Sequence, residues 1–119
     1  MTTKAAWSGQ VPANNPQGAA TGIQLNAGDE VSIKAYGWIK YGKEEYALAA
    51  PQGRVRAGLE TKDEIVLKAR IGTSTKSYDV GNGVYKWAAP EAGELHLYVA
   101  DKPDGYGDNS GSFTAEVYK

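Results

Sequence analysis

The 119-residue sequence contains no cysteine and a single histidine. The absence of cysteine excludes disulfides, thiol catalysis and thiolate metal sites, so stability must come from packing, bound metal or assembly. No apolar stretch is long enough for a signal-peptide core or a membrane span. We therefore expect no membrane insertion and a cytoplasmic protein. Release to the cell surface or the extracellular space, by lysis or a non-standard route, would leave no mark in the sequence. The formal net charge of -1 gives no electrostatic basis for broad nucleic-acid binding.

Hydrophobic and polar residues alternate along four segments, with the period of a half-buried β-strand. Shorter candidate strands cover residues 21–25, 76–80 and 84–88, and turn-forming sequences separate the segments. This pattern predicts an all-β fold, a small antiparallel β-sandwich formed by one domain over residues 1–119. The apolar positions of the four segments are Val31, Ile33 and Ala35; Ile65, Leu67, Ala69 and Ile71; Leu95, Leu97 and Val99; and Phe113, Ala115 and Val117.

The longest segment without a clear strand pattern runs from Gly42 to Gly58 and is rich in Gly, Pro, Ala and charged residues. It predicts a long loop, and long loops in compact domains are commonly functional. The short basic stretch Arg54-Val-Arg56 within it is interpreted as part of a solvated loop rather than as a phosphate site.

An acidic loop near the C-terminus, residues 101–111, places oxygen ligands between two predicted strands. Its acidic and amide side chains are Asp101, Asp104, Asp108 and Asn109. Calcium prefers carboxylate, amide and main-chain oxygens, and the intervening glycines would let the backbone turn its own carbonyls inward. The loop therefore predicts a calcium site, although Asp, Asn and Gly also form ordinary turns.

Other uses of the acidic residues are less well supported. An EF-hand is excluded, because the twelfth position of the loop holds Ser112 instead of a bidentate glutamate. A hydrolytic carboxylate pair, formed by Asp101 and Asp108 or by Glu44 and Glu45, is disfavoured, because nothing indicates an apolar pocket that would keep one carboxyl group protonated.

The histidine and the serines do not indicate nucleophilic catalysis. His96 lies between Leu95 and Leu97 in a predicted strand, so its side chain points away from their face and a structural or surface role is favoured. The stretch Asn109-Ser-Gly111 lacks the G-x-S-x-G frame of a nucleophile elbow.

Aromatic residues are the remaining candidates for ligand contact. Trp7, Trp38 and Trp87 suggest sugar stacking, yet tryptophans beside strand patterns usually anchor a core or an interface, and we favour that interpretation. The predicted exposed strand faces also carry tyrosines that are candidate interface residues: Tyr36, Tyr98 and Tyr118.

Several motifs, spread from about Trp7 to Tyr118, together resemble one family, the calcium-dependent galactophilic bacterial lectins typified by the Pseudomonas lectin PA-IL. The combination is far more specific than any single motif. The matching elements are Trp7-Ser-Gly, Asn14-Asn15, Asn26-Ala-Gly-Asp29, Trp38-Ile-Lys-Tyr-Gly42, Gly83-Val-Tyr-Lys-Trp87 with Pro90, Asp101 seven residues before Asp108-Asn109, and Asn109-Ser-Gly-Ser-Phe113.

The resemblance implies a jelly-roll-like, galactose-binding-domain-like sandwich that binds one calcium ion per subunit and uses it to hold a terminal galactose through O3 and O4. It also implies a homo-oligomer, a tetramer in the family, whose partners are galactose-containing glycans. The implied calcium ligands are the Tyr41 carbonyl, Asp101, the Gly105 carbonyl, Asp108 and Asn109. The implied sugar contacts are Tyr41, Gln52, Asp101, Lys102, Gly105 and Asp108.

Two positions depart from the family pattern. Asp108 stands where the family has an asparagine. An ionised aspartate accepts hydrogen bonds but donates none, unlike the asparagine amide. The His-Pro-Xaa-Gln segment that grips the sugar O6 in the family is absent after Pro51-Gln-Gly53, which leaves Gln52 as a substitute, and Lys102 lies where the family places an apolar neighbour of the sugar. We therefore expect altered O6 recognition. The alternative is a calcium-stabilised interaction domain without sugar binding.

Overall fold

The computed structural model describes residues 5–15, 17–40, 48–51, 53–54, 66–100 and 109–119. These residues form β-strands and turns, and none of them belongs to a helix long and apolar enough to cross a membrane. The strands of this part of the chain are β1 (Trp7–Pro12), β2 (Ala19–Leu25), β3 (Glu30–Tyr36), β4 (Ile39–Lys40), β5 (Leu48–Ala50), β6 (Gly53–Arg54), β7 (Leu67–Ile71), β8 (Tyr78–Asp79), β9 (Gly83–Ala88), β10 (Gly93–Val99) and β11 (Ser110–Tyr118).

The strands form two sheets in which every described pairing is antiparallel. Six strands of the larger sheet follow the order β6-β5-β4-β11-β3-β9. The seventh strand, β1, pairs with β11 outside this order. The smaller sheet has the order β2-β10-β7-β8. The predicted all-β sandwich is therefore confirmed.

The core lies between the two sheets and is built by the alternation seen in the sequence. On β11 of the larger sheet, Phe113, Ala115 and Val117 are fully buried, and on β10 of the smaller sheet Leu95 and Leu97 are fully buried. These side chains belong to one continuous hydrophobic cluster. Since burial of a Val, Leu or Phe side chain stabilises a fold by about 1.5–3 kcal/mol, this alternation also fixes the register of the strands.

Most sequence-based strand predictions are confirmed, and the remaining ones are corrected in length or number. The 21–25 candidate is the longer β2, whereas the 76–80 candidate contains only the two-residue β8. The interpretation of residues 42–58 as one long loop is wrong, because β5 and β6 lie within it. Strands of two or three residues are too short to show alternation, and β5 is held by pairing of Ala49 with Ile39. Strand β1 was also missed.

The three tryptophans occupy different environments. Trp7 and Trp87 are partly buried and pack against the core, and the ring of Trp87 lies 5.4 Å from that of Tyr78 between centroids. Trp38 is 61% exposed, so a core role for this residue is wrong. Such exposure is unusual, because tryptophan is highly buried on average in soluble proteins.

A polar cluster on the outer face of the larger sheet surrounds Glu116. Its carboxylate accepts hydrogen bonds from the hydroxyls of Tyr118 and Tyr36, the latter at 3.1 Å, and Lys34 Nζ lies 3.8 Å away. These donors, Tyr118 first, hold the pKa of Glu116 below its ordinary value of 4.5. The same hydrogen bonds to the carboxylate raise the pKa of each tyrosine.

Candidate metal and sugar site

Asn109 is a buried polar residue that immediately precedes β11. Its side chain is 5% exposed, and Nδ2 donates a 2.9 Å hydrogen bond to the carbonyl oxygen of Ala13. The backbone N–H of Ala13 in turn donates to the carbonyl of Gly111 at 3.0 Å. These two bonds tie the end of β1 to the start of β11, and they fix the plane and direction of the Asn109 amide.

The opposite side of the same segment is held by β4. Ser110 pairs with Lys40 and Gly111 with Ile39. Gly111 has φ 85°, and a Cβ atom there would lie 3.3 Å from the carbonyl oxygen of Trp38, so both the backbone conformation and the close approach favour glycine. Because Tyr41 follows Lys40 in the sequence, this pairing brings the chain that leads to Tyr41 beside the chain that follows Asn109.

Two consecutive residues, Val66 and Leu67, anchor the chains that lead to the other predicted positions. The N–H of Ala100 donates to the Val66 carbonyl at 2.9 Å, and the N–H of Leu67 donates to the Pro51 carbonyl at 2.9 Å. Gln52 follows Pro51 in the sequence, and the segment from Asp101 follows Ala100.

The residues that flank the three predicted parts of the site, at Tyr41, at Gln52 and at 101–109, therefore belong to one hydrogen-bonded framework. Strand β5 connects its two halves, because Ala49 pairs with Ile39 while Pro51, directly after β5, is bonded to Leu67. Of the predicted site residues, Asn109 lies within this framework. The others lie outside the described residues: Tyr41, Gln52, Asp101, Lys102, Gly105 and Asp108.

The chemistry of Asn109 fits a hard cation. An amide oxygen is a normal calcium ligand. Because Nδ2 donates to Ala13, Oδ1 is the side-chain atom of Asn109 that would bind a metal. Within residues 5–15, 17–40, 48–51, 53–54, 66–100 and 109–119 no group of three or more His, Cys, Asp or Glu side chains has metal-site geometry. The carboxylates predicted to join Asn109 at a metal, Asp101 and Asp108, lie outside the described residues.

Sequence reasoning identified Asn109 but missed Ala13. The acceptor that orients the amide is a main-chain carbonyl, which no side-chain pattern reveals. The only nearby signal was the turn-forming Asn14-Asn15, which directly follows Ala13.

His96 is part of a separate polar contact. Its side chain lies on the face of β10 opposite to Leu95 and Leu97, as predicted, and Nε2 is 3.7 Å from Glu94 Oε1. The other carboxylate oxygen of Glu94 accepts the Gly22 N–H at 3.0 Å, where the register between β10 and β2 shifts. The Gly22–Glu94 hydrogen bond joins β2 to β10 at this irregularity, and His96 contacts the same carboxylate from within β10, which agrees with the structural or surface role expected for His96.

Comparison with known proteins gives a consistent result. The family model described as PA-IL-like protein matches residues 6–119. The chain is 43% identical over 111 residues to Lectin A of Photorhabdus laumondii subsp. laumondii, a match that covers 93% of this chain and 89% of that protein. A solved structure described as the EclA N-terminal domain, a PllA-like lectin, has a TM-score of 0.89 and 44% identity, with 98% of each chain covered.

The two-sheet architecture and these relatives define a lectin of the β-sandwich class. More specifically, the chain belongs to the PA-IL-like family, in agreement with the motifs found in the sequence.

Proposed function

We propose that this protein is a calcium-dependent lectin, without enzymatic activity, that binds terminal D-galactose and α-galactosides. The observation that carries the proposal is the buried Asn109 amide, whose nitrogen is held by the Ala13 carbonyl. Membership of the PA-IL-like family supports it, since relatives of this chain are described as lectins.

Five groups would hold the calcium ion: the carbonyls of Tyr41 and Gly105, and the side chains of Asp101, Asp108 and Asn109. A bound calcium ion with open positions supplies two coordination bonds to neighbouring hydroxyls of a sugar. The ligating side chains would orient these hydroxyls by accepting their hydrogen bonds. The cis O3/O4 pair of galactose presents its oxygens differently from the trans pair of glucose, so a misplaced hydroxyl would leave buried polar groups unpaired and lose affinity.

The residues that depart from the family pattern define the expected specificity. Two carboxylates, Asp101 and Asp108, would balance the charge of the calcium ion and hold it at least as firmly as an aspartate and an asparagine. At Asp108 the sugar hydroxyl would have to donate, since the ionised carboxylate only accepts. Gln52 and Lys102 are the remaining candidates for contact with O6.

Assembly would compensate for a weak individual site. A single shallow diol contact gives modest affinity, whereas linked sites raise the apparent affinity through effective concentration. We therefore propose a homo-oligomer, a tetramer by analogy with the family, with galactose-containing glycans as partners and neither nucleic acid nor membrane insertion involved. The proposed location is the cytoplasm, with release by a route that needs no signal peptide.

Retention on galactose-agarose tests the proposal. A calcium-dependent lectin is retained with calcium and elutes with either chelator or free galactose. A domain that uses calcium only for stability passes through the column in both conditions, while its thermal stability still falls on chelation. A glycoside hydrolase would instead turn over a chromogenic galactoside.

A further inference from the structure

Two large aromatic side chains near the proposed site are exposed on the outer face of the larger sheet. Trp38 is 61% exposed and Tyr36 is 49% exposed. Trp38 lies between β3 and β4, two residues before Lys40 and hence about 7 Å along the extended chain. Neither ring contributes to the hydrophobic core, so packing within the domain does not explain them.

The strand register places both rings on the same face. Tyr36 pairs with Thr114 and Ile39 pairs with Gly111. The number of residues between the two pairs is the same on both chains, so Trp38 lies opposite Ser112. Because Ile39 is 1% exposed and its side chain points into the core, the Trp38 side chain points outward. Tyr36, next to the buried Ala35, points outward for the same reason.

The Tyr36 ring and the backbone next to Trp38 are held before any ligand arrives. The Tyr36 hydroxyl donates to Glu116 at 3.1 Å, which holds the ring against the sheet. The backbone after Trp38 is held on both sides, because Ile39 pairs with Gly111 and with Ala49. Preorganised side chains lose little conformational entropy on binding, which favours a ligand contact.

The groups beside the rings are hydroxyls, an amide and, at the Tyr36 hydroxyl, the Glu116 carboxylate with Lys34 close to it. Ser112 lies opposite Trp38, Thr114 lies opposite Tyr36, and Gln10 on β1 donates from Nε2 to Thr114 Oγ1 at 3.0 Å. Flat aromatic surface bordered by hydrogen-bonding groups matches a pyranose ring, which has an apolar C–H face and a hydroxylated rim.

We infer that Trp38 and Tyr36 form an extended subsite that stacks against the second and third sugars of a neutral oligosaccharide whose terminal galactose occupies the proposed calcium site. The inference rests on the proposed function. Adjacency along the chain supports it: Trp38 lies two residues before Lys40, which precedes Tyr41 and pairs with the exposed Ser110, the residue after Asn109.

Calorimetric titration with two probes, methyl α-galactoside and a linear neutral trisaccharide ending in α-galactose, tests the subsite in the presence of calcium. The wild-type protein is expected to bind the trisaccharide about fivefold more tightly, which corresponds to ~1 kcal/mol. Trp38→Ala removes that gain and leaves the affinity for the monosaccharide unchanged, while Trp38→Phe keeps part of the gain. The control is Tyr85→Ala, which removes an 80% exposed aromatic on β9 and should change neither affinity.

The outcomes separate the subsite from the proposed function. If wild-type protein binds the monosaccharide but gains nothing from the trisaccharide, or if Trp38→Ala weakens both ligands equally, the subsite is wrong and the lectin function stands. If neither probe binds, both proposals fail. Sedimentation of the ligand-free proteins supplies a further test: a smaller assembly for Trp38→Ala would identify the face as an interface between copies and overturn the subsite.

Discussion

Asn109 donates from Nδ2 to the main-chain carbonyl of Ala13 across 2.9 Å, at the point where β1 ends and β11 begins. The contact gives this residue a structural function that does not depend on any ligand. The same side chain is a proposed calcium ligand, so its two functions can be separated by comparing stability with and without the ion.

Replacing Asn109 should reveal both functions. Asn109→Ala leaves the buried Ala13 carbonyl without this donor and is expected to lower the free energy of unfolding by about 1–3 kcal/mol even in chelator. It should also remove the rise in melting temperature that calcium produces. Urea denaturation and thermal scans with and without calcium measure the two effects. Asn82→Ala, at an exposed turn position, is the control and should stay within about 0.5 kcal/mol of wild type.

Asp108→Ala should abolish sugar binding, because the proposed site loses one of its two carboxylates and a hydrogen-bond acceptor for the sugar. Calorimetry with methyl α-galactoside in excess calcium measures this. Asp79→Ala provides a matched control, since that aspartate is exposed on β8 and contacts Lys68 at 3.5 Å. Galactose affinity that survives the loss of Asp108 would remove this residue from the site.

Recognition of O6 should be relaxed relative to the family, because the His-Pro-Xaa-Gln segment is missing. We expect galactosides without O6, or substituted there, to compete for binding nearly as well as galactose itself. Competition against an immobilised galactoside measures the ranking. Strict dependence on O6 would show that Gln52, Lys102 or another group fully replaces the missing histidine.

Glu116 should make the stability of the fold sensitive to acid. Its pKa is lowered in the folded protein by hydrogen bonds from Tyr118 and Tyr36, so the stabilisation is present above its ordinary value of 4.5 and is lost as the pH falls through the lower folded value. Glu116→Gln should therefore show a smaller loss of stability on acidification. Urea midpoints measured between about pH 6 and pH 3 test this.

Removing the donors provides an independent check on Glu116. Replacing Tyr36 and Tyr118 together by phenylalanine keeps the carboxyl group but deletes the hydrogen bonds that lower its pKa. The double variant should lose stability near neutral pH and show the same reduced acid dependence as Glu116→Gln. An unchanged slope in either protein would show that the cluster does not contribute to acid sensitivity.

Two glycines with similar backbone angles should differ sharply when replaced by alanine. Gly18 has φ 67° and Gly22 has φ 74°. A Cβ atom at Gly18 would lie 2.0 Å from the Leu97 carbonyl oxygen, whereas none of the atoms described lies within 4 Å of one at Gly22. Gly22→Ala should cost about 1–2 kcal/mol from backbone strain alone. Gly18→Ala should cost clearly more, and equal losses in urea denaturation would contradict the clash.

The sandwich could be predicted because burial on one face of a strand leaves a period of two in the sequence. That signal is strong on β3, β10 and β11, whose buried positions alternate without interruption. It disappears in β4, β5 and β8, which have two or three residues each. Such strands exist because neighbouring strands pair with them, and pairing is a tertiary property that a local pattern does not record.

The cation site is itself a prediction, and Asn109 is the one of its proposed residues that lies within the described part of the chain. Carboxylate and amide side chains near glycines indicated a cation site, and the family motifs supplied the spacing. The orientation of the Asn109 amide could not be predicted, since it depends on the carbonyl of Ala13, 96 residues away in the sequence. The exposure of Trp38 was also not predictable, because an isolated tryptophan has the same local pattern in a core and on a surface.

The double anchorage at Val66 and Leu67 has a consequence for how specificity can evolve. The Val66 carbonyl and the Leu67 N–H belong to one peptide group, which bonds Ala100 on one side and Pro51 on the other, so the separation between these two loop bases is set by a single covalent unit. Insertions, deletions and new side chains beyond Pro51 can therefore accumulate without changing where the acidic loop starts. Under the proposed function, a lineage can then exchange one preferred glycan for another while the base of the proposed ion-binding loop is inherited unchanged.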